Sequence, residues 1–289
     1  MIYKIVFLWY LSSISISVFY RFIGKFHISG FLTSCSLISE SIIASIYTKK
    51  LPSIHYSSLF SIFSLGMYII LSNVSLQYIP IRVSVMFKCL VPVVSLIVAK
   101  ISNLAKPDYH TVVNLVYLTL GIVLSNIKEN YTIASITGYT LALLTCIFSG
   151  LKFTALKLYL LDNPAIVVIR DTGVYMGIMT LPIGLYQIYN LNSSLNLSFS
   201  ILFIGISIGA ILGFFIGIFE YTVIKKISIW ETILFDTLKE IILIVGSSFF
   251  EEQLSFVNWL GVVLVLVTVV SLKYRVYLEE KSLDLNEIN

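Results

Sequence analysis

Apolar runs of nearly uniform length, separated by short polar punctuation, set the pattern of this chain. A helix needs about 20 mainly apolar residues to cross the hydrocarbon core of a bilayer. On that measure the pattern predicts ten helices, at 5–23, 30–47, 56–74, 81–99, 109–126, 133–156, 163–187, 198–223, 231–250 and 256–274. The connections "TKKLPS", "SNLAKPD", "IKENYT", "YNLNSSLNLS", "KKIS" and "EEQLS" have loop composition. None is long enough to hold a separate soluble domain. The expectation is an all-α membrane protein, a single transmembrane domain over residues 1–289 with a cytosolic C-terminal tail at 276–289. Five plus five helices further suggest an inverted repeat, about 1–130 and 131–275, with a binding site near the midplane. The opening run, "MIYKIVFLWYLSSISISVFYRF", is long enough to span and no small-residue cleavage site follows it, so it is read as a retained first helix.

Composition agrees with a lipid-embedded chain. Only 12% of the 289 residues are charged, against about a quarter in soluble domains, and 58% are apolar or aromatic with a mean hydropathy of +0.96. The net charge of +4 is what cytosolic loops of a membrane protein supply and points to no nucleic-acid partner. Of the 19 basic residues, twelve fall on the side of the N-terminus, Lys152 and Lys157 among them. Four (Arg21, Lys25, Arg82 and Lys128) fall on the other side, and Lys88, Arg170 and Lys239 fall within spans. Both termini are therefore expected in the cytosol. The triplets at Asn192 and Asn196 would then lie in a lumenal loop, in keeping with an endomembrane protein.

Metal, cofactor and enzyme chemistry find little support. Cys35, Cys89 and Cys146 lie in apolar stretches without CxxC spacing, and the histidines are scattered at 27, 55 and 110. No HExxH or GxSxG motif is present. Asp236 and Glu240 stand one helical turn apart, but Lys239 lies beside them and the group reads as a polar cluster.

The charges inside spans carry the functional signal. A charged side chain at a helix centre costs about 2.5–3.5 kcal/mol on insertion scales, so it faces protein or a wet cavity. Ser84, Lys88, Pro92 and Ser95 fall on one helical stripe; Thr232, Asp236, Lys239, Glu240 and Ser247 form a comparable one. A shift of 151 positions lays the fourth span on the ninth and Lys88 on Lys239. Two ammonium groups from opposite halves suit a phosphate dianion. Arg170 is a further candidate contact; Asp171 does not share its helix face, so its partner is expected on another helix. Glu40 and Glu220 are expected as interhelical polar contacts, and with Asp236 and Glu240 they form the set of ion-pair or coupling partners.

Three segments carry a family resemblance. "LSNVSLQYIPIRVSVMFKCLVPVVSLIVAK" (71–100), "GYTLALLTCIFSGLKFTALKLYLLDNP" (138–164) and "IFEYTVIKKISIWETILFDTLKEIILIVGSSFFEEQLSFVNWLGVVLVLV" (218–267) resemble the third and fourth helices, the sixth helix and the last three helices of the triose-phosphate and nucleotide-sugar branch of the drug/metabolite transporter superfamily. With the N-terminal run, the similarity covers nearly the whole chain. It implies antiport of a nucleotide sugar against a nucleoside monophosphate in the Golgi or endoplasmic reticulum, with lysines matching 88 and 239 on phosphate, no cofactor, and a homodimer as one compatible assembly. Plastid phosphate translocators carry Lys-Arg in the ninth helix and an earlier tyrosine; here Lys239-Glu240 and Ile216 stand there. Lys-Glu with "FEY" at 219–221 is similar to the GDP-fucose-transporter-like Golgi branch, and the GALNK motif of GDP-mannose transporters is absent. The alternatives are a sugar-phosphate or phosphoenolpyruvate–phosphate exchanger, for which a plastid-type membrane is the matching location, and, from another class, a non-transporting membrane subunit or trafficking factor.

Overall fold

A computed structural model describes residues 2–24, 29–79, 81–101, 109–125, 133–191, 199–227, 229–248 and 255–287. Asn192 and Asn196, and the side chain of Ser247, lie outside the described residues. The described residues are mostly helical: α1 (Ile2–Gly24), α2 (Ser29–Thr48), α3 (Tyr56–Ser75), α4 (Ile81–Lys88), α5 (Val91–Ile101), α6 (Tyr109–Ser125), α7 (Ile133–Asp162), α8 (Ala165–Leu191), α9 (Phe199–Lys226), α10 (Ile229–Ser248) and α11 (Phe256–Glu287). By length and composition, five described segments can cross a membrane: Gly30–Thr48, Ser58–Ser75, Ile136–Asp162, Ala165–Tyr189 and Leu202–Lys226. Two departures from the predicted spans have clear causes. The fourth span is divided, because Pro92 has no N–H for the Lys88 carbonyl and its ring crowds that carbonyl. The sixth span runs on to Asp162, since no helix breaker intervenes before Asn163-Pro164. The predicted tail, from 276, continues α11 as helix to Glu287.

The distribution of polarity is that of a membrane-embedded protein. Ile46, Phe203, Leu185 and Val267 are more than half exposed, whereas Lys152, Arg170, Asp171, Asp236 and Glu240 are buried. Serines and threonines are tolerated in these helices because their hydroxyls donate to the carbonyl one turn earlier. Ser34 to Gly30, Ser64 to Phe60, Thr145 to Leu141, Thr172 to Val168 and Thr237 to Ile233 all do so at 2.7–2.9 Å.

The chain forms two compact units, neither of which is one of the sequence halves. Unit 1 comprises 1–73 and 152–228; unit 2 comprises 74–151 and 229–289. In unit 1 the backbones of α2 and α8 approach closely across small residues. A Cβ on Gly184 would lie 2.5 Å from the Phe31 Cα, and one on Gly177 would lie 2.9 Å from the Ser34 carbonyl oxygen. The Gln187 amide oxygen accepts from the Gly30 N–H at 2.8 Å, satisfying an orphan donor in the first turn of α2. At its other end α2 stops in a Schellman motif: Lys49 adopts φ 53°, Lys50 N–H reaches the Ser45 carbonyl and Lys49 N–H that of Ile46. In unit 2, α6 and α11 pack through Gly121, where a Cβ would lie 3.0 Å from the Gly261 carbonyl oxygen. Leu118, Ile122, Val262 and Val269 form one core with Cys89, Leu234 and Ile241.

Gly184→Val is expected to lower stability by about 1–3 kcal/mol, because the added carbons meet backbone that cannot rotate away. Ile178→Ala, on the exposed face of the same helix, is expected to change it by less than about 0.5 kcal/mol. Thermal unfolding in one detergent, followed by loss of the monodisperse chromatographic peak, compares the two.

Candidate functional site

Among the described residues, the ion pairs inside the helices form three groups, two in unit 1 and one in unit 2. The first begins at the turn after α2. Beyond the Schellman motif, Leu51-Pro52 leads to Ser53, whose N–H donates to Asp171 Oδ1 at 3.1 Å. Asp171 also accepts from Tyr159 Oη at 3.0 Å and from two nitrogens of Arg170, Nε at 2.6 Å and a terminal nitrogen at 2.9 Å. Arg170 thus pairs with its own neighbour in sequence, which corrects the expectation of a partner on another helix. Helix-face arguments hold for short side chains; a guanidinium on its long stem can fold around the helix and present its fork to an adjacent carboxylate. Ser41 Oγ donates to the Arg170 carbonyl, tying α2 to the same place. Both carboxylate oxygens of Asp171 are engaged, so this group is closed.

The second group lies on α3, α7 and α9. Lys152 Nζ donates to Glu220 Oε1 at 3.2 Å and sits 4.5 Å from the centre of the Tyr68 ring. Lys152, counted with the cytosolic side although it lies inside the predicted span 133–156, is buried within α7. Removing it from the cytosolic tally leaves eleven basic residues against four, so the asymmetry persists. The sequence signal for its burial was the unbroken apolar helix up to Asn163-Pro164. Glu220 is the interhelical contact expected of it. One turn and a residue further along α7, Lys157 donates to the carbonyls of Ile224, Lys225 and Ile227 at 2.7, 3.2 and 2.8 Å, capping the C-terminus of α9. Glu40, on α2, packs against α9 at Gly213, whose Cβ would lie 2.7 Å from the Glu40 carboxyl carbon.

The third group contains both candidate phosphate lysines, which come from opposite sequence halves and belong to unit 2. Lys88 is the last residue of α4, at the break before α5. At the break the Phe87 carbonyl accepts from the Leu90 N–H at 2.9 Å and also from Cys146 Sγ, on α7, at 2.8 Å. On α10, Lys239 Nζ lies 2.5 Å from Asp236 Oδ1 and 3.4 Å from Glu240 Oε1. Cys89 links the two elements: it packs with Leu234 and Ile241, and its thiol is within electrostatic range of Lys88, Asp236 and Glu240. The predicted stripes face inward, with Ser84, Pro92, Ser95, Thr232, Asp236 and Glu240 buried. Lys239 is already held by two acids, which lowers the cost of enclosing it empty. Arg170, Glu40 and Glu220 belong to unit 1 and not to this group.

No protein-family model matches the chain, and no curated protein matches it. Solved structures share its fold. One, titled "Crystal structure of protein", aligns with a TM-score of 0.65 at 15% identity over 92% of this chain and 94% of its own. That likeness is one of fold alone.

Lys152→Met should destabilise the protein by about 3–5 kcal/mol, since it strands Glu220 in an apolar interior. Adding Glu220→Leu should recover most of the loss. Equal stability of the single and double variants in a detergent melting series would show that the two side chains are not coupled.

Proposed function

We propose that the protein is a secondary antiporter of phosphorylated solutes, exchanging a nucleotide sugar for a nucleoside monophosphate across a Golgi or endoplasmic reticulum membrane through ten spans arranged as a 5+5 inverted repeat. The observation that carries the reading is the broken fourth span, which sets Lys88 at a helix break in the same unit as the Lys239–Asp236–Glu240 cluster. Broken helices within apolar bundles are the usual architecture of midplane ion and substrate sites, because half-helix ends provide unspent backbone polarity there. The resemblance of 71–100 and 218–267 to nucleotide-sugar transporters points the same way, and Lys239-Glu240 in place of Lys-Arg favours a nucleotide sugar over a bare sugar phosphate.

In this mechanism Asp236 and Glu240 stand in for substrate. With the site empty they neutralise Lys239; an arriving phosphate makes stronger charge-assisted hydrogen bonds to Lys88 and Lys239 and releases the carboxylates. The carboxylates then repel the departing phosphate's replacement until Lys239 is free again, which favours one-for-one exchange. Arg170, closed on Asp171, is assigned to packing and not to the substrate.

The same ion pairs also favour a second reading, a non-transporting membrane subunit in which they are purely structural. Reconstituted liposomes preloaded with nucleoside monophosphate separate the two. With GDP-, UDP- and CMP-sugars and sugar phosphates offered outside, at least one nucleotide sugar is expected to exchange. Lys88→Ala and Lys239→Ala are expected to reduce that exchange more than about 100-fold, the loss of a charge-assisted contact of ~3 kcal/mol, while each variant still reaches the membrane. Uptake of no phosphorylated solute by the wild type sinks the transporter reading, and full activity in both variants makes the lysines packing partners.

A further inference from the structure

Glu40 stands apart from the acids of the ion pairs described above. It lies near the middle of the candidate span Gly30–Thr48, and it packs on Gly213, near the middle of the candidate span Leu202–Lys226. The Glu40 carboxyl fills the space that a side chain at 213 would take, against the bare backbone of α9. Glycines recur at 205, 209, 213 and 217, every fourth residue along one face of that helix. Among the described residues, no hydrogen bond or ion pair reaches the Glu40 carboxyl. The contrast with Glu220, Asp171, Asp236 and Glu240, each within 3.4 Å of a basic nitrogen, is complete.

The charged and titratable groups around it are committed elsewhere. On α9, Glu220 lies two turns along and is paired with Lys152, and Tyr221 is within electrostatic range of both Glu40 and Glu220. On α8, Arg170 and Asp171 close on one another, while Ser41, next to Glu40, is spent on the Arg170 carbonyl. From α1, no described charged side chain engages it. Glu40 is only partly buried within the protein, but at mid-span depth an ionised carboxylate with neither counter-ion nor donor among the described residues is still expensive. A hard metal cation would need several oxygen ligands, and among the described residues no cluster of acids supplies them. A proton needs only one carboxyl oxygen.

We infer that Glu40, seated in the glycine groove of α9, is a proton-binding site of the membrane domain, so that each transport cycle carries a proton together with its anionic cargo. The coupling rests on the antiporter reading above, while the proton site itself does not. In the step, water from one compartment delivers H⁺ to the carboxylate, forming one O–H bond; the neutral acid persists while the site is enclosed. The bond breaks and H⁺ returns to water when the site opens on the other side. Protonation removes a negative charge that would otherwise be enclosed beside the anionic nucleotide sugar; on the return leg, with nucleoside monophosphate bound, the acid is ionised and carries no proton back, so one proton moves per cycle.

Two measurements on the full chain in lipid test this independently. Infrared difference spectra across a pH titration are expected to show a protonated-carboxyl stretch that is lost in Glu40→Gln and retained, shifted, in Glu40→Asp. In liposomes holding a pH-indicating dye, exchange of a nucleotide sugar for nucleoside monophosphate is expected to move protons. A pH difference of one unit should then change the accumulation ratio up to about tenfold for one proton per cycle, and Glu40→Gln should abolish both effects. Exchange that proceeds in the wild type without proton movement, or with the same pH dependence in Glu40→Gln, overturns the coupling and leaves the antiporter intact. Absence of exchange in the wild type overturns the antiporter, and the infrared titration still decides the proton site. A carboxyl band unchanged in Glu40→Gln overturns that as well.

Discussion

Hydrocarbon offers no hydrogen bonds, so every polar group that enters it must find its partner inside the protein. Most of this molecule's internal geometry answers that constraint. Hydroxyls fold back on the carbonyls of their own helices, Gln187 reaches the opening turn of α2, and Lys157 gathers three carbonyls at the end of α9. The turn after α2 is shaped so that its backbone donates to Asp171. Apolar side chains are left to face outward, as Ile46 and Phe203 do, because lipid is their equal solvent.

Charges are the severest case, and the two units handle them differently. In unit 1 the Arg170–Asp171 pair is saturated by Tyr159 and Ser53, and Lys152 is held between Glu220 and the face of Tyr68. Such closed arrangements lock helices together and leave nothing for a ligand. The α10 cluster in unit 2 is less settled: one ammonium is shared between two carboxylates, beside a helix interrupted by Pro92. A group with surplus acceptors on one cation can exchange partners, which a saturated pair cannot.

The interruption at Pro92 ties local chemistry to that exchange. A continuous helix would bury the carbonyls near Lys88 in intrahelical bonds. Once divided, it satisfies the Phe87 carbonyl with the Leu90 N–H and the Cys146 thiol, while Pro92 offers no N–H to the Lys88 carbonyl. Close backbone packing, at Gly184 and Gly121 in the two units, keeps the surrounding helices rigid enough for one such defect to be confined.

Much of this was legible in the residues alone. Apolar run length and loop punctuation pointed to a helical, membrane-embedded chain, and five described segments are long and apolar enough to cross a membrane, since hydropathy acts locally and each helix satisfies its own backbone. The inward stripes of α4, α5 and α10 followed from helical periodicity, whereas the division of the fourth span, read from the sequence as one helix over 81–99, appeared only in the fold. What tertiary structure decided was pairing. The partner of Lys152 lies 68 residues away, so nothing near it in sequence separates this buried lysine from those of the cytosolic side. The Arg170 side chain bent to an acid that helix-face geometry had excluded. Lys239 met its two acids within one helical turn, yet only packing excluded the water that would have made that contact negligible. Glu40 is the clearest instance: nothing in its neighbours in sequence distinguishes it from Glu220, and only the approach of α2 to a bare glycine on α9 leaves one acid without a cation. Local hydropathy determines which segments enter the membrane; which charges meet there depends on long-range packing that no single segment contains.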